Sequence, residues 1–300
     1  MTALIHAIEG TPAGQQVAIA LALAAAILHA VFGALQKGTR HDPWLSRAAI
    51  DACYGLIALP FALFVVPAPT PLLWLILAGA FVIHSGYKVL LAMAFSRGAY
   101  TVVYPVMRGT GPLFTVLGAG LFFDEHFTAT QWAGLAVLLA GIYGLALYNL
   151  RHVTVARDTL VAALALAVAT GGMVALYTTY DAWGIRTADD PFTFLVWFFV
   201  VDAVFMPARE ARRLVAQPRA EALALIRLGA VGAVIGIASF GGVMLATRLG
   251  QVGQAAVLRE TSTVFAALIG RLMLDERVGP RRFGLMALIA GGAIIVQLGA

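Results

Sequence analysis

The second half of this chain repeats the first, and nearly everything in both halves is apolar. A shift of 151 positions places Met93, Arg97, Val106, Arg108, Thr110, Phe114, Leu117, Leu121, Asp124, Glu125, Ala136 and Gly141 on Met244, Arg248, Val257, Arg259, Thr261, Phe265, Leu268, Leu272, Asp275, Glu276, Ala287 and Gly292. That is 12 identities in 49 ungapped positions. Apolar matches are cheap in a chain that is 61% hydrophobic, but paired arginines, threonines and Asp-Glu steps are not. A shift of 143 aligns the run Ala20 to Ala24 with Ala163 to Ala167, and a shift of 147 pairs Pro60 with Pro207. The drift implies small loop insertions between two copies, 1–150 and 151–300.

With only 12% charged residues in 300, the chain is too apolar for a soluble globule. A membrane-crossing helix needs about 20 mainly apolar residues, because it rises 1.5 Å per residue through a core of about 30 Å. Ten stretches qualify: 16–36, 45–66, 72–96, 101–123, 129–149, 158–184, 190–209, 221–247, 252–274 and 280–299. The loops between them are short, so one integral domain is expected. Met1 to Gln16 carries no Lys or Arg, which argues against a cleaved signal peptide. Cys53 is the sole cysteine, so neither a disulfide nor a cysteine metal site is expected.

Each copy holds five spans, and an odd number inverts the second copy relative to the first. Arg108, a third of the way into span 4 from one side, then mirrors Arg259, a third of the way into span 9 from the other. The loops after the odd-numbered spans hold Lys37, Arg40, Arg47, Arg97, Arg151, Arg157, Arg209, Arg212, Arg213, Arg219, Arg277, Arg281 and Arg282, against only Arg186 and Arg248 elsewhere outside the spans. Thirteen against two predicts that these loops are cytoplasmic and both termini periplasmic. The net charge of +5 therefore reports topology rather than nucleic-acid binding. The chain contains no Gly-x-x-x-x-Gly-Lys, His-Glu-x-x-His or Gly-x-Ser-x-Gly sequence, which argues against ATP-driven transport by this chain alone. Asp189-Asp190 is too little for the acidic metal sites of prenyl-transfer enzymes.

Two stretches carry a resemblance. Gly111-Pro112-Leu113-Phe114 with Phe122-Phe123-Asp124-Glu125, and Leu258-Arg259-Glu260-Thr261-Ser262 with Leu274-Asp275-Glu276-Arg277, resemble matching signatures of the drug/metabolite transporter superfamily, EamA type. Pro112 departs from the symmetry, since Thr263 is its second-half counterpart. The resemblance covers nearly the whole chain and implies ten helices. By overall likeness and its polar third span, the chain looks most like the bacterial exporters of aromatic amino acids.

Ionisable groups inside a bilayer are costly and mark function by default. Those within the spans include His29, Asp51, His84, Lys88, Arg108, Asp202, Arg259 and Glu260. His84 and Lys88 share a face of span 3; their second-half counterparts are Ile235 and Ser239. They suit a carboxylate or a proton relay, or else a hydrogen bond to a neighbouring helix with Lys88 reaching the interface. Arg108 and Arg259 recur in both copies, which favours a packing role for Arg108, with Asp51, Asp202 or Glu260 as partner. Tyr177, Tyr180 and Trp183 line one face of span 6, either to stack on a ring or to form an interfacial belt. The glycines of span 8 suit close helix packing. Glu125, placed at a helix end where a carboxylate opposes the dipole, suits a turn or an N-cap.

The reading is an all-α polytopic membrane protein of ten helices in two inverted five-helix repeats. It is expected to be a secondary transporter, not an enzyme, working by alternating access around a midplane cavity. Substrate contacts are assigned to His84, Tyr87, Lys88, Tyr104, Tyr177, Arg259 and Glu260, for export of small amphipathic metabolites. Aromatic or large apolar amino acids are the class that the resemblance implies. No catalytic residue, metal, cofactor or nucleic acid is expected; the partners are a small-molecule substrate and membrane lipid, with a monomer in the bacterial inner membrane. The competing readings are an integral membrane enzyme acting on a lipid or prenyl substrate, and a transporter of another metabolite class.

Overall fold

A computed structural model describes residues 2–39, 41–97, 100–152, 157–273 and 279–300. Arg40, Asp275, Glu276 and Arg277 lie outside the described residues. The regular elements are all helices: α1 (Thr2–Ile8), α2 (Pro12–Gly38), α3 (Pro43–Phe64), α4 (Pro71–Arg97), α5 (Tyr100–Phe123), α6 (Ala129–His152), α7 (Arg157–Thr187), α8 (Pro191–Asp202), α9 (Phe205–Val215), α10 (Arg219–Leu249), α11 (Val252–Arg259), α12 (Ser262–Met273) and α13 (Pro280–Leu298). Helices are what a bilayer demands, because lipid offers backbone amides no partner. Among the described residues nine stretches are long and apolar enough to cross: α2 to α7, α8 with α9, α10 and α13. The span expected at 252–274 is instead two short helices, α11 and α12.

Five helices begin with proline, whose missing N–H is no loss in a first turn. Asp42 accepts from the amides of Trp44 and Leu45 at 2.9 and 3.0 Å, and Thr70 Oγ1 from Leu73 N–H at 3.2 Å. Asp190 caps α8 through the amides of Phe192 and Thr193 and also accepts from the hydroxyls of Thr2 at 2.6 Å and Thr193 at 2.8 Å. Burial pushes its carboxyl up, but these four donors together outweigh that and hold it below the ordinary carboxylate value. The Asp189-Asp190 step is thus a capping and docking point for α1, whose His6 ring reaches the Asp189 carbonyl at 2.9 Å.

By contacts the chain divides into two compact units, Met1–Ser85 with Asp181–Leu249 and Gly86–Tyr180 with Gly250–Ala300. Each unit draws on both sequence halves. In the first, α10 packs along α2 and α3, while α3 also meets α8 and α9. The α3–α10 contact is close because Gly229 faces the Ala49 carbonyl; a Cβ there would sit 2.7 Å from that oxygen. In the second unit α6 packs along α13 and α5 against α6 and α11. Interior positions are small, as in Ala22, Ala26, Ala48, Ala163 and Ala167, all at or near zero exposure. Phe194, Ile50, Leu135 and Ile289 are buried with them, yet many other large apolar side chains face outward, among them Phe64 at 84% and Leu121 at 79%. That exposure suits lipid, where backbones gain by close approach at small residues and an outward Leu loses nothing.

Candidate functional site

The sequence leaves α11 at Arg259 and enters α12 at Ser262 through a two-residue turn. The turn runs on three-residue hydrogen bonds: Glu260 N–H to Val257, Thr261 N–H to Leu258, Thr263 N–H to Glu260 and Val264 N–H to Thr261, at 2.9 to 3.1 Å. The Thr261 hydroxyl donates to the Leu258 carbonyl at 2.6 Å, and the Thr263 hydroxyl donates to the Glu260 carbonyl. These bonds satisfy the backbone where the helix tightens, as a bilayer requires.

Against this turn α5 sets Arg108. Its Nε lies 2.8 Å from Glu260 Oε2, and both side chains are buried. Its Nη2 donates to Ser262 Oγ at 2.8 Å and to the backbone carbonyl of Arg259 at 3.3 Å. Arg108 also lies 5.8 Å from the centre of the Tyr104 ring. Of the three partners offered by the sequence reading, Glu260 is the one the arginine takes. Asp51 pairs with Arg47 at 2.6 Å, and Asp202 accepts from the Tyr54 hydroxyl.

Arg259 has a different environment. It is 5% exposed, its guanidinium sits 5.9 Å from the centre of the Tyr177 ring, and its Nε meets no hydrogen-bond partner among the described residues. The Tyr177 ring in turn meets Tyr87 edge-on at 5.1 Å. Five of the expected residues, Tyr87, Tyr104, Tyr177, Arg259 and Glu260, therefore gather in the second unit, joined by Arg108 and Ser262. Lys88 belongs to the same unit and is buried. The cluster holds two guanidiniums against one carboxylate.

His84 belongs to the first unit. Its Nε2 lies 2.9 Å from Asp181 Oδ2 on α7, and both side chains are about 5% exposed or less. Phe198 and Phe240 meet the imidazole edge-on at 4.9 and 5.7 Å. The expected hydrogen bond to a neighbouring helix is present, but sequence reasoning missed Asp181. An aspartate four residues after Tyr177 inside an apolar run was the available signal; its place near the end of span 6 disguised it. Trp183 is 42% exposed and faces outward, in keeping with a belt position.

Glu125 is explained by distant chain. Asp124 takes a left-handed conformation at φ 56°, which aspartate tolerates, and turns the chain after α5. The Glu125 carboxylate then accepts from the amides of Val252 and Gly253 at 2.9 and 3.1 Å. It caps α11, 127 residues away, at the helix end where a negative charge is favoured.

Residues 16–147 and 161–298 each match the EamA-like transporter family. The chain belongs to that family. Over 103 residues it is 32% identical to an uncharacterized protein, y4nH, of Sinorhizobium fredii, covering 88% of that protein and 33% of this chain. A solved crystal structure of a protein aligns over 96% of this chain and 99% of its own with a TM-score of 0.74, at 20% identity. That match shows the fold. This EamA-family chain is thus a multi-pass membrane protein, and its family transports small metabolites.

Proposed function

We propose that this EamA-family protein is a secondary transporter that exports amino acids with aromatic or large apolar side chains by alternating access. Arg259 is the observation that carries the reading. Its buried guanidinium shares the one carboxylate of Glu260 with Arg108, to which Glu260 is bonded, so the cluster carries an excess positive charge that suits a substrate carboxylate. Glu260 supplies a negative charge for the ammonium, Lys88 adds a second cation, and Tyr87, Tyr104 and Tyr177 offer flat apolar faces. Removing the Arg259 charge takes away one charge-assisted hydrogen bond, worth about 1.5–3 kcal/mol or roughly tenfold to a hundredfold in affinity. In proteoliposomes, Arg259→Gln should raise the half-saturating concentration for phenylalanine counterflow by that factor. Phenylalaninamide, which lacks the carboxylate, should be a poor substrate for both proteins. An unchanged half-saturation for phenylalanine would remove Arg259 from the site.

The reading of the two copies as inverted repeats supports alternating access. Arg108 touches the backbone of Arg259, its equivalent 151 positions on, and Gly141 and Gly292 both lie on the contact between α6 and α13. The contact of Arg108 with its own equivalent is what a two-fold axis between the copies would produce. The basic-residue asymmetry supports an orientation with both termini on the periplasmic side, in a bacterial inner membrane. Alkaline phosphatase fused at Ala300 should then be active, and a cytoplasm-only fluorescent protein fused there dark. The opposite pair of results would reverse the orientation.

A further inference from the structure

Helix α10 carries an arginine that the packing of its unit does not use. Leu225, Gly229 and Gly232 turn toward α3: Leu225 clusters with Leu45 and Ala49, Gly229 faces the Ala49 carbonyl and Gly232 faces Ile50. Arg227 lies about 140–160° round the helix from all three. On its side Leu223, Ile226, Val231 and Val234 are each about half exposed, and Arg227 is exposed among them. Among the described residues no hydrogen bond or ion pair engages it. An apolar face of this kind meets lipid, where a guanidinium needs an anion.

The packing also sets how deep the arginine lies. Leu225 shares its cluster with Leu214 of α9 as well as Leu45 of α3, so the three helices are level there. Beside that level the Arg209 guanidinium lies 3.7 Å from the centre of the Trp44 ring, and Arg213 meets Asp42 at 3.3 Å. Tryptophan and arginine gathered in this way mark a membrane edge. Arg227 is two residues past Leu225, about 3 Å further in. Helical side chains lean toward the helix N-terminus, which here is that same edge, so the Arg227 guanidinium reaches back to headgroup level. Arg219, also exposed, sits eight residues earlier and about 80° round the helix.

We propose that Arg227 and Arg219 bind the phosphate of an anionic phospholipid on the lipid-facing side of α10. The planar fork of a guanidinium matches phosphate oxygens, and the apolar residues around Arg227 cover the first part of the acyl chains. The carboxylates at this end are already engaged: Asp51 with Arg47, Glu210 with Arg209 and Arg213, Asp42 with Arg213, and Glu221 with the His41 ring. Among the described residues none is left there to answer the ammonium of a zwitterionic headgroup. A headgroup of net negative charge therefore fits better than a choline headgroup. The site stands whatever solute the protein carries.

Native mass spectrometry of the full-length protein, released from detergent with phosphatidylglycerol or with phosphatidylcholine of the same acyl chains, tests this. Phosphatidylglycerol should bind the unmodified protein more tightly, and equal affinity for the two lipids overturns the choice of an anionic headgroup. An arginine at the membrane surface is worth about fivefold in such attraction. Arg227→Gln should therefore weaken phosphatidylglycerol binding about fivefold and Arg219→Gln/Arg227→Gln about twenty-five-fold, while Arg227→Lys keeps most of it. Because both arginines are exposed, these variants should melt with the unmodified protein in lipid-free detergent. Arg212→Gln removes the same charge from an exposed position on α9 at the same end, and should change the affinity by less than about twofold. If Arg212→Gln weakens binding as much as Arg227→Gln does, or if Arg227→Gln changes nothing, the proposal is overturned and overall charge explains the lipid preference. Excess glycerol 3-phosphate should not compete, because it brings no acyl chains. Displacement of the lipid by it would overturn the lipid assignment in favour of a soluble phosphate.

Discussion

Replacing Arg108 by Ala should destabilise the protein by about 3–5 kcal/mol, the cost of removing the bonded partner of a buried charge. Glu260 is 1% exposed, and Arg108 is the cation that meets it at 2.8 Å. The loss also frees the Ser262 hydroxyl and the Arg259 carbonyl, both of which Arg108 serves at the turn between α11 and α12. Glu260→Gln alone should cost less, because the amide still accepts. The double variant Arg108→Met/Glu260→Gln should be less destabilised than the sum of the single losses, since neither charge is then stranded. Thermal unfolding in detergent, followed by tryptophan fluorescence, reads all of these. Strictly additive losses would mean that the pair is not coupled and that the turn is held by its backbone bonds alone.

The second large effect is expected between α6 and α13. A Cβ on Gly134 would lie 2.6 Å from the Val296 amide nitrogen and 2.8 Å from the Gly292 carbonyl oxygen. Both are backbone atoms, so nothing can swing aside and the helices must part. Overpacking of this kind costs about 1–3 kcal/mol for small additions, and more for larger ones that separate the pair. Gly134→Leu should abolish the monodisperse folded protein in size-exclusion chromatography, and Gly134→Ala should lower its melting temperature. Gly291 supplies the control, since a Cβ there meets nothing within 4 Å on the same helix as Gly292. Gly291→Leu should leave the elution profile unchanged. If it is as damaging as Gly134→Leu, helix propensity rather than close approach explains the glycines.

Several particulars of the site were within reach of the sequence. Glu260 was among the named partners of Arg108, and the tyrosines at 87, 104 and 177 were singled out. The bland readings also proved sound for the glycines of α10 and for Glu125, whose capping role was expected but for the next helix in sequence. Three particulars were out of reach. Asp181 meets His84 across 97 residues, Glu125 caps a helix start 127 residues away, and Glu260 lies where one expected helix becomes two. Each depends on which faces meet, and apolar periodicity is silent when lipid and protein are equally greasy surroundings.

What the sequence determined alone was the solvent and the secondary structure. Ten long apolar runs fix a bilayer, and a bilayer leaves a single chain little but helices, because every amide must bond within its own segment. The repeat of 151 residues is likewise legible in the sequence alone. Tertiary structure decided the rest: which buried charge answers which, where α11 breaks, and why the compact units draw on both sequence halves. Inside lipid, apolar area does not choose partners; close backbone approach at small residues and the pairing of a few buried polar groups do, and both are long-range.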